Sequence, residues 1–292
     1  MGQAPSAVVL IRPHRFAPNA QTALDNAFQQ PATDPAEVVA RRAYDEVTAL
    51  AERLTAEGVT VHLFEDESGA HPDSVFPNNW FSTHAGGHVA VFPMFAPSRR
   101  GERRWDVVEL LKERYRVQDV IDYSGLERDD VFLEGTGAMV LDHDARIAYV
   151  ARSHRADPVA LERFCTNFGF EPMAFDAADE RGVPIYHSNV MLCVGTDVAL
   201  VGLDRIADPL RRAQVLERLG RRREVIELSA AQLRGFAGNA IELEGSAGRF
   251  LAMSARAAAS SRRSSGCGSS AAPRSSPSPS PRSSWPADRC AA

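Results

Sequence analysis

Apolar residues return at helical spacing over 35–58, 103–115, 158–169 and 208–220, with charged residues between them. That pattern predicts four amphipathic helices, the first ending at Gly58. Each is followed by a short strand-like run, at 59–66, 116–124, 170–177 and 223–230. A third kind of segment recurs at 79–94, 135–152, 187–203 and 237–253. It has a small or polar start, an apolar run, a turn with Gly or Asp, and a second apolar run, which is a β-hairpin signature. The repeating unit is therefore hairpin, helix, strand. With Asn79, Gly137, Asn189 and Asn239 as anchors, the steps are 137−79=58, 189−137=52 and 239−189=50. Such a period points to a propeller or another repeat architecture. The opening run "AVVLIRP" (7–13) is expected to pair with the last unit and close a ring, and a further hairpin is due near 239+50=289.

The pattern stops at Met253. Residues 255–292 are mostly Ser, Arg, Pro and Ala, too poor in large apolar groups to offset their ordering entropy. The chain thus divides into a domain at 1–254 and a tail at 255–292, read either as disordered or as the product of a coding-frame change near residue 260. One choice of codons for "RSSWPADRCAA", read with two bases dropped, spells Leu-Glu-Leu-Ala-Gly-Gly-Ser-Val-Arg-Cys.

Composition narrows the function. A net charge of −5 over 292 residues argues against nucleic-acid or anionic-membrane partners. No apolar run is long enough to span a bilayer, and "MGQAPSAVVLIRPHRF" lacks the features of a signal peptide. "MGQAPS" fits the loose N-myristoylation pattern, which a short flexible start explains as well. Cys165, Cys193, Cys267 and Cys290 show no paired spacing, so free thiols in a cytoplasmic chain are expected. His84 and His88 flank "AGG", the one spacing worth weighing for a metal, and no metal or other cofactor is expected. "GTG" and "GG" do not make a phosphate loop.

The run "IYHSNVML" (185–192) raises the sharpest question. If it is a strand, His187 and Asn189 share a face, with Cys193 on the same face further along. Two polar groups on an apolar strand must be hydrogen-bonded or serve a ligand. Taken alone, Glu134 before "GTG" reads as a turn residue bonding its own loop. Asn79 alone reads as a turn cap, Arg155 as a surface ion pair, and Asn239 as the start of a hairpin or a ligand group. Cys165, on a helix, reads as core.

The stretches "IRPHRFAPNAQTALDNAFQ", "VFPNNWFSTH", "FLEGTGAMVL", "ARSHRAD", "IYHSNVML" and "FAGNAIEL" resemble the pentein superfamily over residues 8–254. Its members include arginine deiminases, dimethylarginine dimethylaminohydrolases and amidinotransferases, and the nearest resemblance is to bacterial citrulline-utilisation hydrolases. The resemblance implies an α/β propeller of five-fold pseudo-symmetry, here with its fifth blade incomplete. It implies a hydrolase that works on a free amino acid without a cofactor. A cysteine nucleophile near the C-terminus, a histidine at His187 and an acid at Glu134 would carry the chemistry, and Arg155 would grip the substrate carboxylate. A thiolate attacks a planar carbon, an imidazole moves protons, and a carboxylate fixes the imidazole tautomer.

Two departures matter. Guanidine-binding relatives carry acids where this chain has Asn79 and Asn189, and an amide offers both a donor and an acceptor to a neutral ureido group such as that of citrulline. Arginine deimination, dimethylarginine hydrolysis and amidino transfer are the alternatives. The family's Gly-Gly-Ser-x-Arg-Cys stretch is also replaced by "WPADRCAA". Cys290 is the candidate for the nucleophile, with no strand after it to hold it. The 292-residue chain is accordingly expected to be inactive or nearly so, a ligand binder at best.

Overall fold

The computed structural model describes residues 2–22, 34–264 and 290–291. Strand β1 (Ala7–Pro13) leads through helix α1 (Ala36–Ala56) to β2 (Thr60–Asp66), which pairs with β1 in parallel. Hairpin β3 (Phe81–His84) and β4 (His88–Val91) follows. Then come α2 (Pro97–Arg100), α3 (Trp105–Arg114) and β5 (Asp119–Asp122). Helix α4 (Gly135–Ala138) opens the next unit of β6 (Met139–Asp142), β7 (Ile147–Ala151), α5 (Pro158–Phe168) and β8 (Glu171–Phe175). The fourth unit is β9 (Leu192–Val194), β10 (Val198–Val201), α6 (Pro209–Gly220) and β11 (Glu224–Glu227). The last is α7 (Ala230–Arg234), β12 (Ile241–Gly245), β13 (Gly248–Ala252), α8 (Ala255–Ser264) and β14 (Cys290–Ala291).

Among the described residues the result is an α/β fold of five small sheets, four three-stranded and one two-stranded. In each three-stranded sheet the leading strand pairs antiparallel with a central strand, and a third strand joins the central one in parallel. The parallel step requires a crossover, and the amphipathic helices supply it. Their starts are written locally: Asp157 and Asp208 each accept from a backbone N–H in the first turn, ahead of Pro158 and Pro209. The predicted helices and the strands after them all form, with ends trimmed by at most three residues.

The sheets share cores in sequence. Ile11 and Phe64 pack with Phe81 and Val89. Phe92 packs with Met139 and Phe164, and Tyr149 with Leu192 and Leu251. Val8, Leu10 and Val61 meet Leu243 and Phe250, so the first sheet packs on the last. Each fully buried side chain of this size contributes about 1.5–3 kcal/mol. Gln3 stitches across the sheets: its amide donates to the carbonyls of Leu141 (2.9 Å) and Val194 (3.0 Å) and accepts from His143 N.

Two expectations change. Among the described residues β1 pairs only with β2, so its meeting with the last unit is side-chain packing rather than strand pairing. Residues 255–264 are helical, with Ala257 wholly buried, because small alanines fit closely against the last unit. The tail read as disordered or frame-changed from 255 thus begins, over 255–264, as a helix after the last hairpin; residues 265–289 lie outside the described residues. Among the described residues no helix is long and apolar enough to cross a membrane.

Candidate active site

The turns that feed the leading strands carry the polar residues. Pro77–Asn79 and Ser188–Val190 are single 3-10 turns, and Gly135–Ala138 is a single helical turn. Glu134 and His187 hold the position before their turns, where the chain bends toward the strand. This corrects the strand reading of 185–192. His187 is extended, Asn189 lies inside the turn, and β9 begins only at Leu192, so no shared strand face relates them. Counted from the residue before each turn, Asn189 matches Asn78 rather than Asn79.

Glu134 and His187 meet in the interior. The His187 ring Nε2 lies 2.9 Å from Glu134 Oε2, and both side chains are buried. Phe95 N donates to Glu134 Oε1 at 3.1 Å, Arg155 Nη1 to Oε2 at 3.3 Å, and Arg99 Nη1 stands 3.6 Å from Oε2. Burial pushes the Glu134 carboxyl up. The His187 hydrogen bond and the charges of His187, Arg155 and Arg99 outweigh it and bring it down to about 2. Burial lowers His187, and the Glu134 carboxylate only partly restores it. At neutral pH the pair is therefore carboxylate and neutral imidazole. The ionised oxygen assigns the ring proton to Nε2 and leaves Nδ1 as the basic nitrogen.

Gly137 is the floor of this cluster. A Cβ there would sit 2.2 Å from the Asn79 side chain and 2.9 Å from His187 Nδ1, so Asn79 and the basic nitrogen of His187 face the same small space. Asn79 is buried between Asn78 and Arg99: its amide oxygen accepts from Asn78 Nδ2 at 3.3 Å in one orientation and from Arg99 at 2.9 and 3.2 Å in the other. Ser188 locks the His187 turn, donating to Ala138 O and accepting from Ala151 N, both at 2.6 Å. Arg155, expected either as a carboxylate grip or as a surface ion pair, is 2% exposed. Its guanidinium lies 4.8 Å from the Tyr186 ring and bonds Glu134, which excludes the surface reading. Asn189 is half-buried, and exposed Asn239 donates to Asn189 O at 3.3 Å, so these two stand together beside the cluster.

Cys290 is not in register with these residues. Its strand, β14, is parallel to β13, opposite Leu251, the place that β5, β8 and β11 hold in their sheets. Site residues follow those strands by a constant interval: 134−122=12, 187−175=12 and 239−227=12. Cys165 and Cys193 are core residues whose thiols burial pushes up to about 12, which makes them inert. Cys267 lies outside the described residues.

Arg99, Glu102 and Asp73 were not singled out in the sequence. Arg99 and Glu102 are both 2% exposed and joined by a forked ion pair of 2.9–3.2 Å, with Asp73 Oδ2 3.5 Å from Arg99 Nε. "PDSVFPNN" placed Asp73 six residues before Asn79, and that was the available signal. His84 bonds Ser82 inside an aromatic cluster, while His88 bonds Asp119. Among the described residues no group of three metal-ligating side chains exists.

A family model described as N,N dimethylarginine dimethylhydrolase, eukaryotic, matches residues 12–265. A search of curated proteins gave no match. Among solved structures, the fold is similar to the N-terminal domain of ArgZ, an arginine dihydrolase from the ornithine–ammonia cycle in cyanobacteria, solved as a cysteine-to-serine variant with substrate. The TM-score is 0.67 at 16% identity, covering 88% of each chain. AgrE with ornithine and NAD+ gives 0.67 at 17% identity, covering 89% of this chain and 35% of that one. DDAH from Pseudomonas aeruginosa, a cysteine-to-serine variant with citrulline, gives 0.59 at 15% identity, covering 89% and 88%. The chain spans 33% of full-length ArgZ. The match over 12–265 places the chain in the N,N dimethylarginine dimethylhydrolase family.

Proposed function

We propose that the chain is a hydrolase of the ureido or guanidino group of a free amino acid, with citrulline as its substrate, working in the cytoplasm. The observation that carries this is the buried Glu134–His187 pair facing an amide, Asn79, across Gly137. A guanidinium needs anionic acceptors, whereas a neutral ureido group needs a mixture of donors and acceptors. The solved neighbours bind arginine, ornithine or citrulline. The shared cores of the five sheets support a closed propeller of five-fold pseudo-symmetry.

In this reading a cysteine thiol gives its proton to His187 Nδ1 and forms a C–S bond to the ureido carbon. The imidazolium, held by Glu134, returns the proton to the departing ornithine nitrogen as its C–N bond breaks. Water then cleaves the thiocarbamate. Asn189, Asn239 and Arg155 are the further substrate-facing candidates, the last through its hold on Glu134. Cys290 is the candidate thiol, and its place on β14 leads us to expect turnover near background. Ornithine and ammonia release from citrulline and from arginine, measured in parallel, tests the substrate; faster arginine turnover refutes the amide argument. Citrulline turnover that Cys290→Ala abolishes would make Cys290 the nucleophile and overturn the expectation of inactivity.

A further inference from the structure

We propose that Ser188 is a positioning residue of this site: its buried hydroxyl ties the turn behind His187 to the turn behind Glu134, and so keeps the imidazole Nε2–H on the carboxylate with Nδ1 free to take a proton. The inference deepens the hydrolase reading and rests on it for the role of the Glu134–His187 pair.

The hairpins of the second and fourth units carry one more backbone rung at their open end. Phe81 faces Val91, and one step further Phe92 N donates to Trp80 O at 2.8 Å. Leu192 faces Val201, and Gly202 N donates to Met191 O at 2.9 Å. In the third unit Met139 faces Val150, so the matching rung belongs to Ala138 and Ala151. The Ser188 hydroxyl stands in that rung instead, accepting from Ala151 N and donating to Ala138 O, both at 2.6 Å. A hydroxyl accepts and donates at once, which suits it to both sides of an opened rung. Ser188 is wholly buried. Ala138 N in turn donates to Glu134 O at 3.0 Å, so the tie runs from the backbone of Glu134 through one hydroxyl to the residue next to His187. A plain backbone rung would close this hairpin as it closes the others. The inserted side chain couples the hairpin to the next unit, and it does so where Glu134 and His187 meet at 2.9 Å. The other flank of His187 is tied as well: Ser153 Oγ donates to Tyr186 O at 2.8 Å and accepts from Arg155 N at 3.1 Å, while Glu134 N donates to Arg155 O at 3.1 Å. Without the Ser188 hydroxyl, Ala151 N–H and Ala138 C=O pair only by closing on each other, which draws the hairpin off the His187 turn. The histidine–carboxylate bond is directional, so that shift weakens it and lets the ring proton move to Nδ1, the nitrogen needed as base.

The ring nitrogens of His187 are followed by NMR in the full chain, labelled at histidine nitrogen and assigned by the loss of their signals in His187→Gln. The wild type should show one protonated and one bare nitrogen, with the Nε2 proton slow to exchange. In Ser188→Ala the two nitrogen resonances should move toward each other as the tautomers mix, and Nε2 proton exchange should rise about tenfold, the value of one buried hydrogen bond. Ser188→Cys, whose thiol is a weak donor and a weak acceptor, should fall between. Leu54→Ala opens a core that holds none of these residues, and should lose stability without moving either resonance. A tautomer still fixed in Ser188→Ala overturns the proposal and leaves the Glu134–His187 reading standing. An equal shift in Leu54→Ala also overturns it, because loosening of the whole fold would then be the cause. A wild type whose two nitrogens are already averaged refutes the Glu134–His187 reading itself, and the proposal with it. Should Ser188→Ala not fold, Ser188→Cys carries the test, and unmoved resonances there overturn the proposal.

Discussion

Two asparagines sit in turns of similar build and behave oppositely. Asn79 ends its turn buried, with its amide enclosed between Asn78 and Arg99. Asn189 lies one place earlier in its turn, half-buried, with no hydrogen bond to its side chain among the described residues. The residue type is the same and the local backbone nearly so. What differs is the partner: α2 brings a buried arginine to the first turn, and among the described residues nothing comparable reaches the second. A polar residue is therefore committed by what the next element delivers to it, and the turn itself only places it.

The strongest way to break this contrast is Gly137→Ala. The new Cβ would lie 2.2 Å from the side chain of Asn79 and 2.9 Å from His187, both already held. Stability should fall by about 3 kcal/mol in urea unfolding, at the upper end for overpacking, and citrulline binding should weaken about a hundredfold through lost positioning. Unchanged melting would mean that Asn79 and His187 are free to move apart. Next comes the direct comparison. Asn79→Ala strips Arg99 of a buried acceptor and should cost about 1–3 kcal/mol, whereas Asn189→Ala should stay within about 0.5 kcal/mol. Equal costs would erase the distinction.

The smallest effect is a pH slope. Burial raises the Glu102 carboxyl from 4.5 to about 7 even though Arg99 pulls it down, and Asp73 and Glu134 push it up as well. The folded protein thus keeps this proton where the unfolded chain has lost it. Its contribution is complete below about 4.5 and lost as pH rises through about 7, and Glu102→Gln should flatten stability across that window. Glu134 has the opposite sign: its contribution is present above 4.5 and lost as pH falls toward about 2. An unaltered slope between 4.5 and 7 in Glu102→Gln would show that Glu102 stays ionised.

The helices and third strands were legible because an amphipathic period repeats over many residues. In α5, Ala160, Leu161, Phe164, Cys165 and Phe168 fall on one buried face. The turns before the leading strands were not, because three residues carry no period. That is why His187 was read into a strand and Asn189 placed on its face. Glu134, His187, Asn79 and Arg155 were named from family resemblance, and the structure draws them together. Arg99 and Glu102 escaped notice for a physical reason. "SRRGERR" has the composition of a solvated surface, and only the fold places Arg99 and Glu102 in the interior, where they bond each other.

Gln3 gives the fold a clock. Its side chain is bonded across 138 residues to Leu141 and across 191 to Val194. On a ribosome adding about 5–20 residues each second, the first residues wait on the order of 10–40 s before their last partner exists. A side chain made well before both of its partners is thus among the last to be fastened.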